Sequence, residues 1–241
     1  MEAVFSRLAP TSRVRFYKKD GEVFRAGEIL GEVSAPLSAL FAGERVALNF
    51  LQRLSGVATL TAKYVSALGS KSKARIYDTR KTTPLLRLLE KEAVVHGGGS
   101  NHRFGLFDMA MLKNNHIDAG GGVAAAVGKL RKSGFFRRRP RLKLCIEART
   151  AHEALAAAAA SADIVMLDNM TSRQMRHCAN LIAAESKRLR IARPQIEVSG
   201  GITPAKIAAL RALPIDRISV GAITHSAPAI DISFRILPGR G

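Results

Sequence analysis

The segment DIVMLDNMTSRQM, residues 163–175, contains one complete junction between a strand and a helix. Its four consecutive apolar residues, IVML, indicate a short buried strand. The polar pair Asp168-Asn169 follows at once, and Thr171 offers the side-chain oxygen that favours a helix start. The segment therefore predicts a β-strand that leads into an α-helix, with polar side chains between them.

Similar junctions recur along the chain. Further buried-strand candidates are ARIYDT (74–79), LKLCIEA (142–148), QIEVSGG (195–201) and RISVGA (217–222). Thr150 with Glu153 predicts a capping box before an alanine-rich helix, and Thr203-Pro204 predicts another helix start. Because strands that alternate with helices favour a parallel sheet, the fold class is α/β, and this number of units permits a barrel.

The first seventy residues follow a different pattern. Asp20-Gly21 predicts a tight turn between two strand-like runs. Residues 43–68 then predict a long helix with one buried face. The apolar residues at helical spacing are Val46, Phe50, Leu54, Val57 and Leu60.

The composition is that of a folded globular protein, with 47% hydrophobic and 24% charged residues. No apolar run approaches the roughly 20 residues of a membrane span, and the first residues lack the apolar core of a signal peptide. Two cysteines are too few for a disulfide framework or a cysteine metal cluster. We therefore expect a cytoplasmic protein without a membrane partner.

A formal net charge of +19 allows two interpretations. One is a polyanionic partner, and the other is an anionic small substrate on a generally basic protein. Much of the excess lies in residues 128–143, which contain no acid and also suit a solvated loop. Only 5% of residues are aromatic and Trp is absent, so platforms for base stacking are few. Nucleic acid is therefore not the expected partner.

Polar residues or glycines follow each predicted strand, at the edge where ligands bind in parallel α/β folds. Glu147 and Asp168 suit ribose hydroxyls or Mg²⁺, or simply ion pairs with neighbouring cations. Ser199-Gly200-Gly201 and Gly221-Ala222 suit close approach of backbone N–H groups to a phosphate, although glycines also suit tight turns.

Arg80, Lys81, Arg103 and Lys113 supply more positive charge than the two carboxylates can neutralise. They predict a ligand that carries both carboxylate and phosphate groups. The sequence offers neither a metal-ligand histidine pair nor a Ser-His-Asp arrangement. Chemistry by positioning and electrostatic stabilisation remains, as in phosphoryl and phosphoribosyl transfer.

Several segments together resemble quinolinate phosphoribosyltransferases over nearly the whole chain. They are DTRKTTP (78–84), HGGGSNHRFGLFDMAMLKNNHI (96–117), VMLDN (165–169), VSGGIT (198–203), SVGAITHSAPAIDISF (219–234) and GERVALNFLQRLSGVATLT (43–61). The resemblance implies an incomplete (open) α/β barrel over 71–224. A small N-terminal α/β sandwich with the long helix would cover 1–70, and its final strand could return from 225–241.

The family reaction joins quinolinate to phosphoribosyl pyrophosphate, with Mg²⁺, and yields nicotinate mononucleotide, pyrophosphate and carbon dioxide. By resemblance, Arg80, His102, Arg103 and Lys113 would bind quinolinate, and Lys81 would lie between the substrates. Glu147 and Asp168 would hold the ribose and the metal. The 5′-phosphate would lie at Ser199, Gly200, Gly201, Val220, Gly221 and Ala222. The family also implies a homodimer in which Arg45 reaches the neighbouring site, with a hexamer as a further option.

Some features depart from the family pattern. The family has further residues before the point where this chain starts, so the small domain is expected to be truncated. Cys145 replaces a residue that is often acidic, and Leu85 replaces a common glycine. Three alternatives remain: a silent or molybdenum-transport-associated relative on the same fold, a basic nucleic-acid-binding protein, and a phosphoribosyltransferase that acts on nicotinate.

Overall fold

The computed structural model describes residues 1–237, which contain two sheets. The large sheet has six strands in the order β3-β8-β7-β6-β5-β4, and all of its pairs are parallel. These strands are β3 (Arg75–Tyr77), β4 (Ala110–Leu112), β5 (Leu144–Ala148), β6 (Ile164–Asp168), β7 (Gln195–Ser199) and β8 (Arg217–Ser219). The edge strands β3 and β4 do not pair with each other, so the barrel is open, as predicted.

Nine helices accompany these strands within residues 1–237. They are α1 (Glu2–Leu8), α2 (Leu37–Leu68), α3 (Arg87–His96), α4 (Asn114–Gly120), α5 (Val123–Lys132), α6 (Ala151–Ala159), α7 (Ser172–Leu189), α8 (Pro204–Leu210) and α9 (Ala222–His225). None of these helices is long and apolar enough to cross a membrane.

The helix starts follow local side-chain chemistry. Thr171 caps α7 in a reciprocal box with Gln174, and Thr203 caps α8 with Pro204 in its first turn. Thr150 caps α6 as predicted. The reciprocal hydrogen bond of a capping box, from the Thr150 backbone N–H to the Glu153 side chain, was predicted and was wrong. The Glu153 carboxylate accepts a hydrogen bond from the Arg149 backbone N–H instead, because the Arg149 side chain also pairs with it.

The small sheet contains β1 (Arg13–Phe16) and β2 (Gly31–Ser34), which pair antiparallel. Asp20-Gly21 forms a turn within the long connection between them, and the strand predicted directly after this turn was wrong. Val23 there is 86% exposed and gains no burial from pairing. Strand β4 was missed, since its three residues are hidden in a longer apolar segment.

The predicted long helix is confirmed, but it starts six residues earlier and its buried face was partly wrong. Val46 and Phe50 are 49% and 37% exposed. Three of the four buried residues in this half of the helix are glycine or alanine, and a Cβ added to Gly43 would meet Phe5 of α1 at 2.7 Å. The close packing of α1 therefore requires a residue without a side chain at Gly43, while Val46 and Phe50 stay exposed further along the helix.

The end of the chain returns to the N-terminal region, although residues 226–237 form no strand. The Gln52 side chain donates to the Ile232 carbonyl at 2.7 Å, and the Phe234 ring stacks on Phe5 with centroids 6.2 Å apart. The expectation of a returning strand was wrong for these residues. Residues 238–241 lie outside the described part of the chain.

Candidate active site

A cavity of about 560 Å³ opens at the carboxyl ends of the parallel strands. It gathers all the predicted site residues except Arg45. The predicted residues along its wall are Arg80, Lys81, His102, Arg103, Lys113, Glu147, Asp168, Ser199, Gly200, Gly201, Val220, Gly221 and Ala222. All six strands of the large sheet and the segment before β4 thus converge on one opening, as parallel topology requires.

Two carboxylates stand on neighbouring strands of this cavity, Glu147 on β5 and Asp168 at the end of β6. Burial raises the pKa of Glu147, and the negative charge of Asp168 raises it further, while Lys113 opposes the change. Within residues 1–237 no third His, Cys, Asp or Glu completes a metal cluster. These two carboxylates could hold Mg²⁺, which commonly takes one or two carboxylates and completes its shell with phosphate and water.

The opposite wall is cationic. Arg103 is half-buried and donates to the Met109 carbonyl at 3.0 Å. Burial lowers the pKa of Arg103, and the charge of Arg80 lowers it further, so two like charges face the same space. An anion placed between them would relieve this repulsion.

A buried ion pair presents the NHR segment to the cavity. The Lys91 ammonium donates to both oxygens of Asp78, at 2.7 and 2.8 Å, and to the His102 carbonyl at 3.0 Å. Asp78 also accepts the His102 backbone N–H at 2.6 Å. Burial raises the pKa of Asp78, although Lys91 favours its anionic form. Asp78 therefore holds the backbone of His102 in place without lining the cavity itself.

A second buried network lies beneath His102. Glu197 on β7 is fully buried and accepts from Arg217 Nε at 2.7 Å and from the Ser219 hydroxyl. His102 Nε2 lies 3.1 Å from Glu197 Oε1 at an ion-pair distance, without the alignment of a hydrogen bond. The Arg217 guanidinium is 3.7 Å from the Tyr77 ring centroid. This network supports the cavity floor from inside the barrel.

Arg53 of α2 fastens the DTRKTTP segment from the other side. It contacts Glu90 at 2.7 Å and the carbonyls of Thr224 and Ala227. The Thr83 backbone N–H and hydroxyl donate to Glu90 at 3.0 and 2.7 Å. The loop that carries Arg80 and Lys81 is thereby tied to α2, α3 and the C-terminal segment.

The glycine loop after β7 has little room for a side chain. Gly200 has φ +97°, and an added Cβ would collide with the Asn169 side chain. Asn169 itself has φ +54° and follows Asp168 directly. Both residues take left-handed conformations that glycine and asparagine adopt most readily. The two strand ends therefore approach each other closely at the predicted phosphate site.

Two residues stand apart from the predicted wall of this cavity: Arg45, which was predicted to reach the neighbouring site, and His225. Arg45 has a side chain 70% exposed on α2, and it contacts only Glu44, at 3.8 Å, among its salt-bridge partners in the described chain. His225, which the sequence analysis did not select, lines the cavity at the end of α9. Its position one turn after Gly221-Ala222 is the signal that could have identified it.

The open parallel barrel, with a cavity lined by cations and two carboxylates at the carboxyl ends of its strands, defines an α/β-barrel enzyme for an anionic substrate. The C-terminal domain of quinolinate phosphoribosyl transferase matches residues 57–235, and the N-terminal domain of the same family matches residues 1–55. The protein belongs to the quinolinate phosphoribosyltransferase family.

Individual relatives agree with this assignment. A probable nicotinate-nucleotide pyrophosphorylase (carboxylating) of Bacillus subtilis is 41% identical over 232 residues, which are 96% of this chain and 76% of the relative. Its counterpart from Archaeoglobus fulgidus is 41% identical over 91% of this chain and 82% of the relative. The crystal structure of NadC from Streptococcus pyogenes has a TM-score of 0.86 at 42% identity, over 95% of this chain and 77% of that one.

Proposed function

We propose that the protein transfers the phosphoribosyl group of phosphoribosyl pyrophosphate to quinolinate with decarboxylation. The products are nicotinate mononucleotide, pyrophosphate and carbon dioxide, a step in NAD biosynthesis. One observation carries the proposal: a single cavity combines a cationic wall, two adjacent carboxylates and two glycine-containing strand ends. These three groups correspond to a diacid, a ribose and a phosphate.

The cationic wall would bind the two quinolinate carboxylates. Arg80 and Arg103 carry like charges on this wall and repel each other, so a dianion gains the attraction of both. Lys113 would add a mobile positive charge. The His102 imidazole would lie against the quinolinate ring, with its Nε2 atom near Glu197. Arginine forks suit carboxylates because they donate two parallel hydrogen bonds.

The carboxylates would act on the sugar. As the quinolinate nitrogen attacks C1 of the ribose, the bond from C1 to the pyrophosphate oxygen breaks, and pyrophosphate keeps the electron pair. Positive charge then grows on the sugar, and Glu147 and Asp168 favour it when both are ionised. Lys81, at the boundary between the two substrates, would stabilise the departing phosphate. Loss of carbon dioxide leaves an electron pair on the ring carbon, which the alkylated nitrogen stabilises until a proton arrives.

The glycine loops would hold the 5′-phosphate. Ser199-Gly200-Gly201 and Val220-Gly221-Ala222 lie side by side after paired strands β7 and β8. Close backbone approach at Gly200 leaves N–H groups available to phosphate oxygens. His225 stands beside Gly221 and would add a further donor. When bound at Glu147 and Asp168, Mg²⁺ would neutralise charge on the leaving pyrophosphate.

We further propose that the working unit is a homodimer. The first half of α2 exposes four large apolar side chains, Leu37, Phe41, Val46 and Phe50, at 56%, 65%, 49% and 37%. Exposed apolar side chains of this size favour an association site on this helix. Arg45 lies on the same helix and has no place in the cavity of its own chain. Its guanidinium would therefore complete the quinolinate site of the partner.

A turnover assay tests the reaction. Purified protein receives quinolinate, phosphoribosyl pyrophosphate and Mg²⁺, and nicotinate mononucleotide is measured, with nicotinate replacing quinolinate as control. Product from quinolinate alone supports the proposal. Product from nicotinate instead would favour the single-carboxylate alternative, and a folded protein without turnover would favour a silent relative.

Mixing two inactive variants tests the dimer. Arg45→Ala removes the residue that would enter the partner's active site. Arg103→Ala removes a residue of the chain's own active site. A mixed dimer contains one site that lacks both residues and one intact site. Mixtures should regain up to about a quarter of the wild-type activity, because random pairing makes half the dimers mixed. No recovery after exchange of subunits would contradict the shared site.

A further inference from the structure

The face of the barrel opposite the active site is strongly basic. We define the basic face as the exposed Lys and Arg residues within 71–75, 129–143 and 187–193, together with Arg211. These segments lead into strands β3, β5, β7 and β8. In a parallel sheet they must lie at the amino ends of the strands, whereas the active site lies at the carboxyl ends.

Backbone hydrogen bonds confirm that these segments form one continuous edge. The N–H of Asp163 donates to the Leu144 carbonyl, and that of Gln195 donates to the Asp163 carbonyl, each at 2.9 Å. Along the same edge, Asp216 donates to Ile196 at 2.9 Å and Arg75 donates to Asp216 at 3.1 Å. A strand of five residues spans about 16 Å, and this distance separates the basic face from the substrate cavity.

Charges on this face are poorly compensated. The face holds sixteen exposed cations, whereas Asp163, Glu185 and Asp216 are the acids beside the amino ends of these strands. Glu185 pairs with Arg188 at 2.6 Å, and Asp216 pairs with Arg193 at 2.9 Å. Asp163 accepts the Leu144 N–H at 2.7 Å instead of a cation. Within residues 1–237 the other fourteen cations form no salt bridge.

The chemistry of the face restricts its partner. The chain carries a formal net charge of +19, so this face would repel a second copy. No large hydrophobic side chain is exposed in these segments, which leaves no apolar anchor for a membrane surface. Ten of the sixteen cations are arginines, whose planar forks match phosphate oxygens.

We propose that the basic face binds the phosphate backbone of nucleic acid. The binding is independent of base sequence, because no exposed aromatic ring on the face can stack on a base. Sequence composition alone treated nucleic acid and an anionic substrate as competing explanations of the charge. The structure assigns them to opposite faces of one barrel, so both ligands can be bound at once.

Fluorescence anisotropy with labelled single-stranded RNA and duplex DNA tests this proposal, with phosphatidylserine vesicles as a third probe. The test variant exchanges four arginines of the face for serine. These are Arg137, Arg138, Arg139 and Arg141. Binding to both nucleic acids should weaken roughly tenfold or more at 0.15 M salt, and the log–log salt slope should fall by about 3 to 4.

A matched control removes the same charge from exposed positions of the N-terminal region. Its four serine replacements are at Arg7, Arg13, Lys19 and Arg25. The control should keep most of the affinity and of the salt slope. Equal losses in the two variants would overturn the proposal, because binding would then follow net charge and not the basic face.

Two further outcomes are decisive. Millimolar phosphoribosyl pyrophosphate should not displace the nucleic acid, and displacement would place that binding in the substrate cavity. Binding to vesicles without binding to nucleic acid would overturn the choice of partner. Since these are binding measurements, they do not depend on the proposed enzymatic activity.

Discussion

Replacement of Glu197 by alanine should be among the most damaging single changes inside the barrel. The carboxylate is fully buried and holds Arg217, Ser219 and the ring of His102. Its removal leaves the Arg217 guanidinium, which is 9% exposed, without an anionic partner. Breaking a buried pair in this way costs about 3–5 kcal/mol.

For a chain of this size, such a loss lowers Tm by roughly 6 to 20 °C. Thermal unfolding followed by circular dichroism measures it. Glu185→Ala breaks the pair with Arg188, whose side chain is 69% exposed, and serves as the control, with at most a small decrease in Tm expected. A small shift for Glu197→Ala, equal to that of Glu185→Ala, would refute the reasoning.

The double replacement Glu197→Leu with Arg217→Met sharpens this test. Removal of both charges leaves no unpaired ion, so the double variant should be more stable than Glu197→Ala. A double variant that is less stable would show that the residues contribute separately and not as a pair.

The pH dependence of stability follows from the same network. Burial alone would raise the pKa of Glu197, but His102, Arg217 and Ser219 outweigh it, and the pKa is lowered from its ordinary 4.5. The stabilisation is therefore fully present above pH about 4.5 and is lost as pH falls through the lower folded-state value. The difference in Tm between wild type and Glu197→Gln should narrow below pH about 4.5.

Three further predictions concern the cavity. Arg103→Ala should nearly abolish quinolinate binding in calorimetry and spare phosphoribosyl pyrophosphate, whereas equal loss of both would indicate damage to the fold. Asp168→Asn should lower the raised pKa of Glu147, measured by carboxyl NMR, since it removes a like charge; an unchanged midpoint would contradict this coupling. Gly200→Ala should weaken phosphoribosyl pyrophosphate binding through its clash with Asn169, while Gly122→Ala, with the same φ of +97° and nothing within 4 Å, should not.

Much of the barrel could be predicted because its signals are local. Apolar runs mark β5 and β6, and Thr171 and Thr203 mark the helices that follow two of the strands. The polar residues after the strands converge because parallel topology leaves them no other edge. Most residues of the cavity wall could therefore be predicted from short segments of the sequence.

Other features depend on partners far apart in sequence. Nothing near Glu197 indicates that Arg217 and His102 will enclose it, since neither residue is a sequence neighbour. Helical spacing showed that α2 has an apolar face, but not that Phe5 would require a residue without a side chain at Gly43. Leu85 was noted in place of a common glycine, and its φ of +66° explains why glycine suits that position.

The ion pair of Asp78 with Lys91 has a consequence for how this sequence can be recombined. Each partner belongs to a different segment, and both hold the backbone of His102 in a third. A chimera that takes residues 73–116 from a relative as one block keeps the three segments matched. A crossover between positions 78 and 91, or between 91 and 102, joins halves that were not selected together. In libraries of shuffled homologues, folded chimeras should therefore carry residues 73–116 from a single parent.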